Sequence, residues 1–155
     1  MDKYTITGNP QTRTNLFEYT PADNRAAVIL IIEDDEDSRL MLKLLLEMWK
    51  YQVVEATDGW EAVRLAETLR FDLILTDVKL PQLDGFETTR RLRESENTNR
   101  VPIIILSGCA EDNYRRTARA VGADDYLVKP INFELLENTL KKYLVRQPTN
   151  SRENP

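Results

Sequence analysis

Five consecutive acids, Glu33-Asp34-Asp35-Glu36-Asp37, follow the apolar run Val28–Ile32 without a break. Like charges at that density repel one another, and burying a charge is costly unless something compensates it. Three other residues with useful chemistry also stand where apolar runs end: Asp77 after Asp72–Thr76, Ser107 in "RVPIIILSG", and Lys129 after Asp125–Val128. Glu33, Asp34 and Asp77 offer only oxygen ligands, which suit a hard ion such as Mg²⁺ that keeps several of its waters. Asp77 could also serve as a carboxylate nucleophile, with the Lys129 ammonium and the Ser107 hydroxyl holding phosphoryl oxygens. Taken singly, each has an ordinary reading: a solvated acidic loop, a turn aspartate, a loop hydroxyl, an exposed cation. Their shared placement at the ends of apolar runs favours the chemical one.

That placement needs a scaffold, and the chain alternates as one would. Ala27–Ile32 reads as a strand buried on both faces. Ser38–Trp49 reads as a helix with Ser38 as its N-cap and Leu40, Met41, Leu44, Leu45 and Met48 at helical spacing. Tyr51–Glu55 is the second strand, and Asp58 caps a helix running to Leu69. Asp72–Thr76 is the third strand; Pro81 and Gly85 are turn residues ahead of a helix over Phe86–Arg93. A fourth strand in "RVPIIILSG" precedes a helix over Glu111–Val121, closed by Gly122. Asp125–Val128 is the fifth strand, and Asn132 caps a last helix through Leu144. Five β-then-α units with short connections predict an α/β fold, a parallel sheet covered on both faces. Ligands of such sheets gather beyond the carboxyl ends of the strands. Glu33, Asp34 and Asp77 meet there if strands one and three are neighbours.

The 155 residues, 41% hydrophobic, support one domain with its own core. A formal net charge of -5 speaks against nucleic-acid binding through bulk charge. Arg90, Arg91 and Arg93, and again Arg115, Arg116 and Arg119, read as solvated helix faces. The single cysteine, Cys109, permits no internal disulfide and reads as an inert thiol. The absence of histidine excludes histidine acid–base catalysis and a phosphohistidine carrier role. No signal peptide and no apolar run of membrane-spanning length are present, so the expected compartment is the cytoplasm, with no membrane partner. Residues 1–25 read as a flexible leader, 26–146 as the domain and 147–155 as a flexible tail.

Four stretches, "VILIIEDD", "DLILTDVKLPQLDGFE", "VPIIILSG" and "GADDYLVKP", together resemble in order and spacing the response-regulator receiver domain, the CheY-like phosphoacceptor module of two-component signalling. The resemblance covers about residues 26–146 and implies a doubly wound, flavodoxin-like (βα)5 sheet of order 2-1-3-4-5. It implies Asp77 as the phosphoacceptor, assisted by Lys129 and Ser107, with Ser107 and Tyr126 as a switch pair. It assigns Mg²⁺ to Glu33, Asp34, Asp77 and the main-chain carbonyl of Lys79, and a cis bond to Lys129–Pro130. The implied donor is a sensor histidine kinase or a phosphotransfer protein. The implied activity is confined to the domain's own phosphorylation and dephosphorylation. The output face would be the fourth helix, fifth strand and fifth helix, read by a partner after Tyr126 turns inward. Homodimerisation across that face would pair Arg115, Arg116 and Arg119 with Asp124 and Asp125. No output domain follows residue 146, so the resemblance is to a stand-alone receiver. The alternative is an adaptor of receiver shape that binds without phosphorylation, against which the retained Asp34, Asp77, Ser107 and Lys129 argue. A nucleotide-binding α/β domain would want a Gly-rich first loop, and a dehalogenase-type phosphatase an acid where Lys79 stands.

Overall fold

A strand with apolar side chains on both faces is stable only in the interior of a sheet covered on both sides. In the computed structural model, which describes residues 25–144, Val28–Ile32 (β1) takes that position. It pairs in parallel with Gln52–Ala56 (β2) on one side and Leu73–Asp77 (β3) on the other. Ile103–Ser107 (β4) and Asp125–Val128 (β5) complete five parallel strands in the order β2-β1-β3-β4-β5. The helices are Glu36–Met48 (α1), Gly59–Thr68 (α2), Gly85–Glu94 (α3), Asp112–Ala120 (α4) and Phe133–Leu144 (α5). Alternate residues of a strand face opposite ways. Ile29 and Ile31 accordingly pack with Leu42, Leu46, Leu136 and Leu140 of α1 and α5. Leu30 and Ile32 pack with Ala62, Ala66 and Leu92 of α2 and α3, and Ile105 packs with Ala118 of α4. The α/β sheet and its order match the expectation from the sequence.

Two local readings change. Helix α1 begins at Glu36, and its N-cap is Asp35, not Ser38: the Asp35 carboxylate accepts from Ser38 N at 2.9 Å. Glu36 and Asp37 then fall in the first turn, where negative charge meets the positive end of the helix dipole. The buried face of α1 is Leu42, Leu45 and Leu46, while Leu40, Leu44 and Met48 are exposed. Apolar residues cover most of this helix, all but the stripe of Arg39, Lys43 and Glu47, so spacing alone could not choose which of them the sheet buries.

Arg93 is the second change. It leaves the solvated face assigned to its cluster and acts as an internal clamp, with a side chain 19% exposed. Its Nε donates to the Gly122 carbonyl at 2.8 Å and its Nη1 to the carbonyls of Thr98 and Val101 at 2.9 and 2.6 Å. Its Nη2 meets Asp124 Oδ2 at 2.7 Å, and that oxygen also accepts from Ile103 N. Arg90, by contrast, bonds only to Glu87 and Glu94 on its own helix. Arg93→Ala leaves several partly buried acceptors unpaired, so it is expected to cost about 2 kcal/mol and lower Tm by about 5 °C. Arg90→Ala is expected to leave Tm nearly unchanged. Thermal unfolding of both variants checks this, and equal losses would contradict the clamp.

Candidate functional site

The strand registers determine which side chains meet. Ile32 of β1 is paired with Thr76 of β3, so Glu33 and Asp77 are the next residues outward on neighbouring strands. Asp77 is paired with Leu106, and Ser107 with Val128, so Ser107 and Lys129 each stand one step beyond. Four residues from four chain segments therefore converge at one end of the sheet.

Lys129 joins them. Its Nζ lies 2.9 Å from Glu33 Oε2 and 3.0 Å from Asp77 Oδ2. Glu33 is almost wholly buried, Asp77 is largely buried and Asp34 is exposed. One oxygen from each of Glu33, Asp34 and Asp77 lies within 4.8 Å of the others. The second Glu33 oxygen accepts from Asp35 N at 3.1 Å, and Asp77 Oδ1 accepts from Lys79 N at 3.3 Å. Burial pushes the Glu33 carboxyl above the ordinary carboxylate range; the Lys129 hydrogen bond and the Asp35 N–H oppose this, and the Asp77 charge adds to it. Burial pulls the Lys129 ammonium down, yet its bonds to Glu33 and Asp77 and the charges of both outweigh that, leaving it above its ordinary value. Three carboxylates against one ammonium leave two negative charges over, and the donor set is all oxygen. That combination fits a hard divalent cation.

The remaining expected residues fall as follows. Ser107 is buried, and its Oγ accepts from Cys109 N at 3.1 Å. Tyr126 is buried, with its hydroxyl donating to the Cys109 carbonyl and Arg115 over its ring at 5.0 Å. Lys129–Pro130 is cis, and Lys79, two residues beyond Asp77, has an exposed side chain. An apolar groove of about 290 Å³ opens next to the acids, between Met41 and Leu42 of α1 and Ile131 and Phe133 beyond Lys129.

Sequence reading missed three supports of this site. Thr76, fully buried, donates its hydroxyl to the Asp77 carbonyl at 3.0 Å. Arg39 donates to the carbonyls of Glu33 and Asp34. Gly85 is more than a turn residue: a Cβ there would lie 2.0 Å from the Asp77 carbonyl oxygen. The glycine in "QLDG" was the only visible signal, and it did not reveal which backbone approaches.

Known proteins bear on this arrangement. Residues 29–141 match the family model of the response regulator receiver domain. The chain is 39% identical over 114 residues to Sensor protein EvgS of Escherichia coli K12, covering 74% of this chain and 9% of that protein. It is 39% identical over 104 residues to Transcriptional regulatory protein SrrA of Staphylococcus aureus, covering 67% of this chain and 42% of that one. It therefore spans less than half the length of these curated relatives. Among solved structures, the receiver domain of sensor histidine kinase PA1611 from Pseudomonas aeruginosa PAO1 has a TM-score of 0.72 at 38% identity, over 77% of this chain and 98% of that one. Magnesium is coordinated in the active-site cleft of that protein. Chemotaxis protein CheY4 of Vibrio cholerae has a TM-score of 0.74 at 35% identity, over 77% of this chain and 99% of that one.

The Gly85 contact decides between two opposing effects. Alanine inside a helix is favoured over glycine by about 1 kcal/mol. Forcing a methyl into filled space against backbone costs up to about 3 kcal/mol. Gly85→Ala is therefore expected to lower Tm in thermal unfolding; an unchanged or higher Tm would show that the loop yields without strain.

Proposed function

The chain belongs to the response regulator receiver domain family, and on that premise we propose that Asp77 accepts a phosphoryl group from a phosphohistidine of a sensor histidine kinase or phosphotransfer protein. The observation that carries this reading is Lys129 bridging Glu33 and Asp77 at the carboxyl ends of three strands. An Asp77 carboxylate oxygen attacks phosphorus, the P–N bond to the donor imidazole breaks, and an acyl phosphate forms. Lys129 is within reach of an oxygen on Asp77, so its charge can pass to the incoming phosphoryl oxygens as they gain negative charge. Glu33, Asp34, Asp77 and the Lys79 carbonyl are the residues that would hold Mg²⁺. When bound, the ion supplies charge neutralisation and a template for in-line transfer. Ser107 stands ready to donate its hydroxyl to the new anion.

Such a hydroxyl movement would take the β4–α4 loop with it, because the Cys109 N–H is bonded to Ser107 and the Cys109 carbonyl to Tyr126. The α4–β5–α5 face is then the output surface. A homodimer pairing Arg115, Arg116 and Arg119 with Asp124 and Asp125 is less favoured than an effector there. Asp124 is already engaged by Arg93, and Asp125 by Lys142 and Tyr143. On the donor side, Met41 and Phe133 of the apolar groove beside the acids are exposed, as are Leu40 and Leu44 of α1, a surface suited to a macromolecular donor. Among the described residues no helix is long and apolar enough to cross a membrane. The domain is proposed to act on itself alone, and residues 26–146 to be the receiver unit. The leader (1–25) and the tail (147–155) fall almost wholly outside the described residues.

Intact-mass measurement after incubation with a small phosphodonor and Mg²⁺ tests the reading. One phosphoryl adduct is expected on the wild type and none on Asp77→Asn or after chelation of the metal. Lys129→Met is expected to slow adduct formation about 100-fold. A wild type without adduct would favour the adaptor reading, and steady turnover of the donor a phosphatase. Separately, Lys79→Ala is expected to change the lifetime of the adduct, because a long exposed cation is carried two residues from the acceptor; an unaltered decay rate would remove Lys79 from the mechanism.

A further inference from the structure

Arg39, in the first turns of α1, is paired in an unusual way for a cation near so many acids. Its guanidinium avoids the carboxylates of Glu33 and Asp34 and bonds to their main-chain carbonyls, Nη1 lying 3.0 Å from Glu33 O and 3.5 Å from Asp34 O. Its Nε is anchored on the opposite side by Glu55 Oε1 of β2 at 3.3 Å. Glu55 is held in turn by Lys43 Nζ at 3.2 Å. The side chain is only 16% exposed. One rigid planar fork thus ties the β1–α1 turn, where the acidic pair begins, to the neighbouring strand and to the helix that follows. Arg39 itself engages neither carboxylate; that of Glu33 is held by Lys129 and the Asp35 N–H, and one oxygen of each acid lies within 4.8 Å of an Asp77 oxygen.

We infer that Arg39 is a positioning residue for divalent-cation binding: it holds the Glu33–Asp34 backbone so that these acids meet Asp77 already in place. The inference rests on the cation-binding reading of the acid pocket proposed above. Two physical effects compete, and they carry opposite signs. As a nearby positive charge, Arg39 repels a cation, so removing it would tighten binding. As an organiser of the ligand backbone, it strengthens binding, and outer partners of metal ligands commonly matter by 10–100-fold. The contacts favour the second effect, because the charge is shared with Glu55 while two carbonyls of the ligand turn depend on the fork.

The test is Mn²⁺ binding to the full chain, followed by loss of the free-ion electron paramagnetic resonance signal, with circular dichroism melting to establish that each variant is folded at the assay temperature. R39K keeps the charge and loses the fork; R39M loses both. Both are expected to weaken Mn²⁺ binding by about tenfold. Wild-type affinity in R39K, or tighter binding in R39M, would overturn the positioning role while leaving the pocket intact. Failure of the wild type itself to bind Mn²⁺ would overturn the pocket, and the role of Arg39 with it.

Discussion

Glu33 and Asp77 reach for the same ammonium, Lys129 Nζ, from two adjacent strands, and Asp34 stands close by with no such partner among the described residues. A single positive charge is too little for three acids held this close, and burial of Glu33 sharpens the imbalance. The site is therefore under electrostatic tension that a divalent ion would relieve and that, on the proposed reading, an incoming phosphoryl group would exploit. The same tension gives Lys129 alternatives: it is bonded to acids here, and phosphoryl oxygens would compete for it. A cation that can exchange partners is a better helper for phosphoryl transfer than one locked in a single pair.

The rest of the fold makes that tension sustainable. β1, β3 and β4 are apolar and almost fully buried, which fixes the strand register and hence the positions at which the chain emerges as Glu33, Asp77 and Ser107. Small supports hold each emerging turn: Arg39 under Glu33 and Asp34, Thr76 and Gly85 against the Asp77 backbone, Cys109 N–H on Ser107. The Cys109 carbonyl, bonded to Tyr126, connects the chemical end of the sheet to the α4–β5–α5 face. On the proposed phosphoacceptor reading, this is the route by which a change in charge at Asp77 would reach that surface.

Asp34, Asp77, Ser107 and Lys129 were legible from sequence because strand ends are marked by an abrupt change from apolar to polar residues, a local signal. The alternation of strands and helices was legible for the same reason, while the strand order β2-β1-β3-β4-β5 came from the family resemblance. Arg39 and Arg93 were not, since their partners lie on other elements: Glu55 sixteen positions on for the first, Gly122 and Asp124 about thirty on for the second. The buried face of α1 was illegible because apolar side chains cover most of its circumference, all but the Arg39–Lys43–Glu47 stripe, and only the sheet decides which of them are buried. Ser38 lost the capping position to Asp35 because five adjacent acids offered more than one candidate. Gly85 looked like turn punctuation, and the constraint on it comes from the Asp77 carbonyl, a neighbour that spacing does not disclose.

The most direct measurement is a crystal structure of the chain grown with Mg²⁺ and beryllium fluoride, a phosphoryl mimic. The account predicts fluoroberyllate on the Asp77 carboxylate, a metal ion among Glu33, Asp34 and Asp77, and Lys129 drawn onto a fluorine. An Asp77 left bare, with Lys129 still bridging it to Glu33 and no ion among the acids, would contradict it.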